Sequence, residues 1–373
     1  MRTLPLLDEL ETALASGTNA RRIDILSRIT DLFVTGAPQF SEEQIGVFDD
    51  VLQRLIVTIE VKARAKLAER LAPIGNAPSN VIYMLAGDDD IEVARPVLTQ
   101  SQRLGERELV ATAKTKSQQH LLAIAQRTAL SEAVTDVLVE RGDRDVVRSV
   151  VKNAGARFSD MGFRVLVNRS TGDDDLASIV GMRPDIPRHH FLMLLEHASS
   201  EVRTRLIAEN PQAKAAVDDV MTDVVGGLRK DIRDASPDFA AAKAAVERQN
   251  RIKRIGEAEV YRYARERKFE ETAIALSIMC DTPLDVVERS LLDPGAEIIL
   301  ILAKVAGLSA TTTRELLLLR AADRGLSADD LDRALLSFGR LKPDTARRVL
   351  GFFRTRTKRP AEPMVPPAVA VNG

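Results

Sequence analysis

The sequence predicts an all-α protein in which a helical-repeat solenoid precedes a small C-terminal helical bundle. Aromatic residues make up only 4% of the 373 residues, and there is no Trp. Sheets favour aromatic and β-branched residues that alternate with a period of two, and no sustained stretch of that kind occurs. Apolar residues recur instead at steps of three and four, which is the spacing of one helix face.

The composition narrows the class of protein. Lys and Arg total 53 against 54 Asp and Glu, so the net charge of −1 excludes a globally basic nucleic-acid binder but not a local basic patch. The single cysteine, Cys280, excludes a disulfide framework and a Cys-rich zinc site, and its apolar neighbours predict a buried thiol. Acidic residues interrupt the N-terminal apolar stretch, and the longest apolar runs are far shorter than a membrane span. We therefore expect a cytoplasmic protein without a signal peptide or transmembrane segment.

A capping box marks a helix near the N-terminus. Ser41 stands three residues before Gln44, so its hydroxyl is placed to accept a hydrogen bond from the Gln44 amide. Phe40 and Ile45 occupy the positions of a hydrophobic staple on either side of the cap. An apolar stripe then continues the helix through Ile45, Phe48, Val51, Leu52 and Leu55. Residues 1–40 are expected to form an N-terminal helical cap.

Weak internal repeats over residues 41–225 predict the solenoid. In each copy, one helix ends near an apolar residue and a second helix opens eight or nine residues later. These anchors fall at positions 61, 93, 120, 147, 176 and 202, which gives spacings of 26 to 32 residues. Gly, Asp and Ser in the connections suit turns and helix N-caps, and we expect such a turn at Ala198-Ser199-Ser200. Units of this length cannot bury their apolar faces alone, so neighbours must stack.

A change in composition follows the repeats. Gly226-Gly227 and Ser236-Pro237 are predicted breaks, and a charged helix is expected to run unbroken from Asp238 to about Lys268. The segment 226–268 is therefore interpreted as a linker with one long connecting helix.

Shorter helices with more apolar sequences predict the bundle over residues 269–357. The phrase Gly-Leu-Ser occurs at 307–309 and again at 325–327, where the Gly suits a left-handed helix end and the Ser suits the next N-cap. Residues 358–373 are rich in Pro, Ala and Val without periodicity, so we predict a disordered tail.

The segment AIALSIMCDTPLDVVERSLLDPGAEIILILAKVAGLS, residues 273–309, resembles a family of uncharacterised alphaproteobacterial proteins defined only as a domain of unknown function. The similarity covers most of residues 40–350, and its most specific parts are 282–288 and 306–309. The repeats also resemble HEAT-type helical arrays. The resemblance implies a bacterial helical-repeat protein, and it implies no activity or catalytic residues.

Catalytic motifs are missing. The sequence contains no phosphate-binding loop, dinucleotide fingerprint, metalloprotease motif or serine-hydrolase elbow. The four histidines lack the converging ligands of a metal site, and His120, His189, His190 and His197 are interpreted as capping or core-edge residues. The Asp triplets at 88–90 and 173–175 suit turns and caps better than a calcium loop. We therefore expect a protein that is not an enzyme and has no cofactor or metal.

Basic residues after the repeat anchors form the first candidate binding surface: Lys62, Arg148 and Arg203. In a stacked array, equivalent positions line up, so these cations would form a ladder facing an acidic partner. In the alternative, each pairs with an acid of its own or the next repeat. Non-basic residues at positions 94 and 121 interrupt the ladder and favour that alternative.

The second candidate surface is the segment 340–359, which carries eight cations against one Asp. Its candidate partner-binding residues are Arg347, Arg348, Arg354 and Arg356. Such a run suits nucleic-acid phosphates or an anionic membrane surface. It also suits the solvated C-terminal end of a helix, where cations complement the dipole.

Three functions stay open on this basis. The leading one is a non-enzymatic protein–protein interaction scaffold or regulatory adaptor that uses the repeat surface, with a homodimer through the bundle left open. The alternative is nucleic-acid binding through the bundle and the basic segment. A second alternative is a small-ligand sensor in a cleft between solenoid and bundle.

Overall fold

The computed structural model describes residues 18–209, 211–292, 295–321 and 327–356, without the side chains of 209, 320, 321 and 352–356. These residues form 21 α-helices, two short 3₁₀ turns and one isolated bridge between Leu130 and Ala156, with no β-strand among them. The chain divides into two compact units, Met1–Ile186 and Pro187–Gly373. Residues 1–17 of the predicted N-terminal cap, all of the predicted tail and Gly325 lie outside the described residues. None of the described helices is long and apolar enough to cross a membrane.

The first unit contains eleven described α-helices. They are α1 (Asn19–Gly36), α2 (Glu42–Ile56), α3 (Val61–Leu71), α4 (Ser79–Ala86), α5 (Ile91–Gln100), α6 (Glu106–Thr115), α7 (Gln118–Ala125), α8 (Glu132–Arg141), α9 (Arg144–Lys152), α10 (Asp160–Arg169) and α11 (Asp174–Gly181).

These helices pack in two rows because each apolar face is covered by the helix two positions further along the chain. In one row α3, α5, α7, α9 and α11 contact each other in that order, and in the other row α6 contacts α8 and α8 contacts α10. Most of the residues that define the predicted repeat in this unit are buried, whereas Val61 and Ala111 are exposed. The buried ones include Leu52, Leu85, Val93, Leu138, Val147, Leu166 and Leu176. The periodicity of the sequence therefore corresponds to real layers of packing within this unit.

The capping box before α2 is confirmed. The Ser41 amide donates to Oε1 of Gln44 at 2.9 Å, and the Gln44 amide donates to Oγ of Ser41 at 3.3 Å. The Phe40 ring stacks on the Phe48 ring with 5.1 Å between centroids, and it also lies 5.9 Å from that of Phe33. The start of α2 is thus fixed both by hydrogen bonds and by an aromatic cluster.

The second unit contains ten described α-helices. They are α12 (Arg188–Glu209), α13 (Lys214–Ala235), α14 (Pro237–Ile252), α15 (Glu257–Arg265), α16 (Phe269–Cys280), α17 (Leu284–Leu292), α18 (Glu297–Val305), α19 (Ala310–Ala321), α20 (Ala328–Arg340) and α21 (Pro343–Arg356). Helix α12 pairs with α13, whereas α14 to α21 share one apolar core that includes Val246, Val260, Leu276, Leu302 and Leu317.

The predicted turn at Ala198-Ser199-Ser200 is wrong, since α12 runs through it without a break. Ser199 Oγ donates to the carbonyl of Leu195, and Thr204 Oγ1 donates to that of Ser200 at 2.8 Å. These hydroxyls bond back to the carbonyl four residues earlier, which a helix accommodates. The anchor predicted at position 202 therefore opens no helix.

The region predicted as linker and connecting helix also differs. Gly226-Gly227 lies inside α13, because glycine lowers helix stability by only about 1 kcal/mol per residue and packing overrides it. The helix predicted from 238 to 268 is two helices, α14 and α15. Asn250 Oδ1 accepts from the Ile255 amide at 3.0 Å and turns the chain between them. The predicted domain limits at 40, 225, 268 and 357 stay predictions.

The predicted caps at Gly307, Ser309 and Ser327 are present. Gly307 has a positive φ of 72°, the left-handed conformation that ends α18, and Ser309 Oγ accepts from the Thr312 amide at 3.2 Å. Ser327 Oγ likewise accepts from the Asp330 amide at 3.1 Å. Cys280 is buried, as predicted, with Sγ 3.4 Å from the Leu302 carbonyl.

Candidate functional site

Two of the predicted ladder cations, Lys62 and Arg148, lie in the first unit, and Arg148 forms ion pairs with neighbouring acids. Arg148 on α9 donates through Nη2 to Asp173 Oδ1 at 3.1 Å and to Asp175 Oδ2 at 2.9 Å, both at the start of α11. Lys62 on α3 is exposed. Arg64, two residues further along α3, binds Asp88 through Nε at 2.7 Å. The cations of this row therefore mainly join one helix pair to the next.

Histidine and aspartate side chains also connect successive helix pairs in this row. His120 is buried, with Nε2 2.9 Å from the Asp88 carbonyl and Nδ1 2.8 Å from Ser117 Oγ. Because a carbonyl can only accept, Nε2 is the donor to Asp88, and in the neutral ring Nδ1 then accepts from the Ser117 hydroxyl. Asp90 caps α5 by accepting from the Glu92 amide at 2.9 Å. The capping role predicted for the Asp triplets is confirmed at Asp90, whereas His120 is a buried residue that bonds to the turn before α5.

Arginines of the first unit also bind backbone carbonyls of the preceding helix pair. Arg127 donates to the Leu98 carbonyl at 2.7 Å, Arg169 to that of Val139 at 2.8 Å, and Arg183 to that of Val151 at 2.8 Å. Each of these carbonyls lies in the last turn of a helix, where it has no partner within the helix. The sequence analysis missed this role.

A groove crosses the first unit at the start of α8, and we call it the α8 groove. It has a volume of about 730 Å³ and is open to solvent. Its walls come from the N-terminal ends of α6 and α8 and from the segment before α10. The lining residues are Glu106, Ala129, Leu130, Ser131, Glu132, Ala133, Asp136, Gly155, Arg157 and Ser159.

The α8 groove is acidic. Glu106 and Glu132 are exposed, and the cation of the lining, Arg157, lies 3.7 Å from Glu132 Oε1. Partial burial raises the pKa of Asp136, an effect that Ser159 opposes by donating to Oδ1 at 2.7 Å and that Glu132 and Glu140 reinforce. A cation in the groove would therefore relieve both desolvation and repulsion at these carboxylates.

The C-terminal candidates lie on α21. Arg347 Nη1 is 3.0 Å from Asp344 Oδ1 in an exposed pair, and Arg348 is exposed. Arg354 and Arg356 belong to the same helix, but their side chains lie outside the described residues.

Arg203, the third ladder candidate, lies in the second unit. Its Nε is 3.4 Å from Asp218 Oδ1 on α13, and its side chain also lines a small cavity with Arg229 and Arg289.

Sequence reasoning missed both the groove and this cavity. Glu106 and Glu132 each occupy the first position of a helix, 26 residues apart, so the repeat carried a signal for the groove. Arg229 and Arg289 stand on helices distant in sequence, so no local pattern connects them.

Comparison with known proteins adds a family. The model of one family, described as an uncharacterised protein conserved in bacteria (DUF2336), matches residues 93–351. No curated protein and no solved structure matches the chain. The matched range runs from α5 into α21 and so contains the α8 groove and the arginine-lined cavity.

Proposed function

This chain belongs to the bacterial DUF2336 family, and we propose that it is a non-enzymatic adaptor whose α8 groove binds a basic segment of a partner protein. We further propose that the first unit is a HEAT-like solenoid, that the source is alphaproteobacterial and that the adaptor works in the cytoplasm. The two rows of stacked helices support the solenoid, and the resemblance over residues 273–309 supports the source.

The α8 groove is the observation that carries the adaptor function. Three carboxylates, on Glu106, Glu132 and Asp136, face one cation in its lining. Acids at the first helical positions also complement the helix dipole, which accounts for Glu106 and Glu132 in part. It does not account for Asp136, which lies a full turn into α8 and has a raised pKa.

The shape of the groove favours an extended segment over a single ion. It extends across the starts of two successive helices of one row, and its volume is well above that of a site for one metal ion. Backbone near the isolated Leu130–Ala156 bridge also lines it. A Lys- or Arg-rich segment would place several cations along such a path, and electrostatic attraction would speed its association.

The test is fluorescence anisotropy with a short labelled peptide of alternating Arg and Ser. The double variant E132Q/D136N should bind at least tenfold more weakly than the wild type. A hydrogen bond to a charged group contributes about 1.5–3 kcal/mol, and about 1.4 kcal/mol corresponds to tenfold. The side-chain amide oxygen that D136N introduces can still accept from Ser159, so the fold around α10 should be retained.

The matched control removes the same charge outside the groove, in E69Q/D145N, at two exposed residues that do not line it. That variant should bind the peptide as the wild type does, apart from a small salt-dependent change. If both double variants bound the peptide equally weakly, the loss of affinity would be an effect of net charge, and the groove would not be the binding site.

A second candidate function, nucleic-acid binding, rests on the exposed cations Arg340, Lys342 and Arg348 at the junction of α20 and α21. The variant R340Q/K342Q/R348Q should then bind duplex DNA less tightly and with a smaller salt dependence, by about 0.9 in the log–log slope per lost phosphate contact. Unchanged binding and slope would count against this candidate.

A further inference from the structure

The second unit encloses a small cavity between α12, α13 and α17, which we call the arginine pocket. Its volume is about 180 Å³. The lining residues are Glu196, Ser199, Ser200, Arg203, Thr222, Val225, Arg229 and Arg289. The lining thus contains three guanidinium groups and only one carboxylate, so it carries an excess of positive charge.

Arg229 is the most telling member of the pocket. Its side chain is only 3% exposed, and it forms an ion pair through Nη2 with Glu196. The other two nitrogens, Nε and Nη1, are buried without a hydrogen-bond partner among the described residues. Unsatisfied buried donors of a charged group are costly, so such a site favours an acceptor that is supplied from outside.

The two other arginines add to the positive field. Arg289 reaches the pocket from α17, and its pKa is lowered by desolvation and by the charges of Arg229 and Arg203. Arg203 Nε lies 3.4 Å from Oδ1 of Asp218, a residue outside the lining, but this contact does not have the geometry of a hydrogen bond. The like charges are therefore only partly compensated by the protein.

No hydroxyl group of the lining accepts a hydrogen bond from Arg229 Nε or Nη1 or from Arg203 Nε. Ser199 Oγ donates to the Leu195 carbonyl, and Thr222 Oγ1 donates to that of Asp218 at 2.7 Å. These bonds fix the hydroxyl oxygens on helices α12 and α13.

We propose that the arginine pocket binds the phosphate group of a small phosphorylated ligand. Guanidinium groups match the geometry of phosphate oxygens and remain charged at every physiological pH. The three arginines and one glutamate of the lining carry a net charge of +2. A phosphate dianion would neutralise this charge, whereas a ligand with a single carboxylate would leave one positive charge uncompensated. The pocket volume is several times the roughly 30 Å³ that one water molecule occupies in the liquid. It is smaller than the roughly 300–1,000 Å³ of sites for drug-sized ligands. The pocket therefore has room for the phosphate group but not for the whole ligand.

This assignment is independent of the proposed adaptor function, because the pocket lies in the second unit and uses none of the residues of the α8 groove. An experiment that overturns the phosphate site would therefore leave the adaptor proposal untouched, and the reverse also holds.

Isothermal titration calorimetry of the full chain with inorganic phosphate and pyrophosphate tests the proposal, with sodium acetate as the carboxylate probe. The wild type should bind phosphate or pyrophosphate more tightly than acetate. R289Q and R203Q should each lower that affinity at least tenfold, since each removes a charged hydrogen-bond donor. Because both side chains reach the surface, these two variants should fold. R229Q replaces a buried residue, so circular dichroism must show that this variant is folded before its affinity is compared.

The matched control is R205Q, which removes an exposed arginine of α12 that pairs with Glu201. It should bind as the wild type does. Three results would overturn the proposal: no phosphate or pyrophosphate binding at millimolar concentration, acetate binding as tight as phosphate, or the same loss in R205Q as in R289Q and R203Q.

Discussion

Arg188 donates through Nη2 to Oε1 of Glu288 at 2.9 Å, and the two side chains are only 4% and 0% exposed. Through Nη1 the same guanidinium binds both oxygens of Glu270, at 2.8 and 3.0 Å. Arg233 is the next cation, with Nη1 3.6 Å from Glu288 Oε2. A buried carboxylate, Glu288, and a largely buried one, Glu270, thus depend mainly on one arginine, and this arginine is the first residue of α12. The cluster joins the start of α12 to α16 and α17.

Replacing Arg188 by Gln should lower the free energy of unfolding at neutral pH by about 3–5 kcal/mol, because it leaves buried Glu288 and largely buried Glu270 without their main cation. Urea unfolding followed by circular dichroism measures the change. R251Q is the control, since Arg251 pairs with Glu247 at 3.9 Å on an exposed face of α14 and such pairs contribute within about 1 kcal/mol. An R188Q loss as small as that of R251Q would show that the cluster does not stabilise the fold.

The acids of this cluster also give a pH dependence with a definite sign. Burial raises the pKa of Glu288 above 4.5, and this effect outweighs the attraction of Arg188. A group whose folded pKa is raised stabilises fully below its unfolded pKa and loses that contribution as the pH rises through the folded value. The unfolding free energy of the wild type relative to E288Q should therefore decrease from pH 4.5 toward neutral. A difference that grows over this range would mean that the ion pair, not burial, controls the pKa.

Asp173 should show the opposite dependence. Hydrogen bonds from Arg144, with further ones from the Leu176 amide and Arg148, lower its pKa from 3.8 to about 2. Its stabilising contribution is therefore present above pH 3.8 and lost as the pH falls toward 2. D173N keeps the N-cap of α11, because Asn and Asp are equivalent caps. It should be less stable than the wild type at neutral pH and indistinguishable from it once the pH is well below the folded pKa.

The control for D173N is D174N, in the first turn of the same helix, where the side chain forms no salt bridge with a described residue. Thermal melts at several pH values should separate the two variants. Equal destabilisation of both would assign the effect to the helix dipole and not to the arginine pairs.

Local features were the predictable part of this fold. The capping box at Ser41 and the left-handed end at Gly307 depend on residues within one turn, and both are confirmed. The turn predicted at Ser199 failed because the same hydroxyl can cap a helix or bond within one, and only packing decides. The arginine pocket was beyond reach, because its cations meet only once α13 and α17 have packed against α12.

The arginines that bind carbonyls of the preceding helix pair give the first unit a direction. The donor for Leu98 stands 29 residues later in the chain, that for Val139 30 residues later and that for Val151 32 residues later. Each of these three helix ends therefore receives its side-chain donor from a residue about one helix pair further along the chain. We expect a chain cut between two such pairs to keep one helix end whose carbonyl must bind water instead.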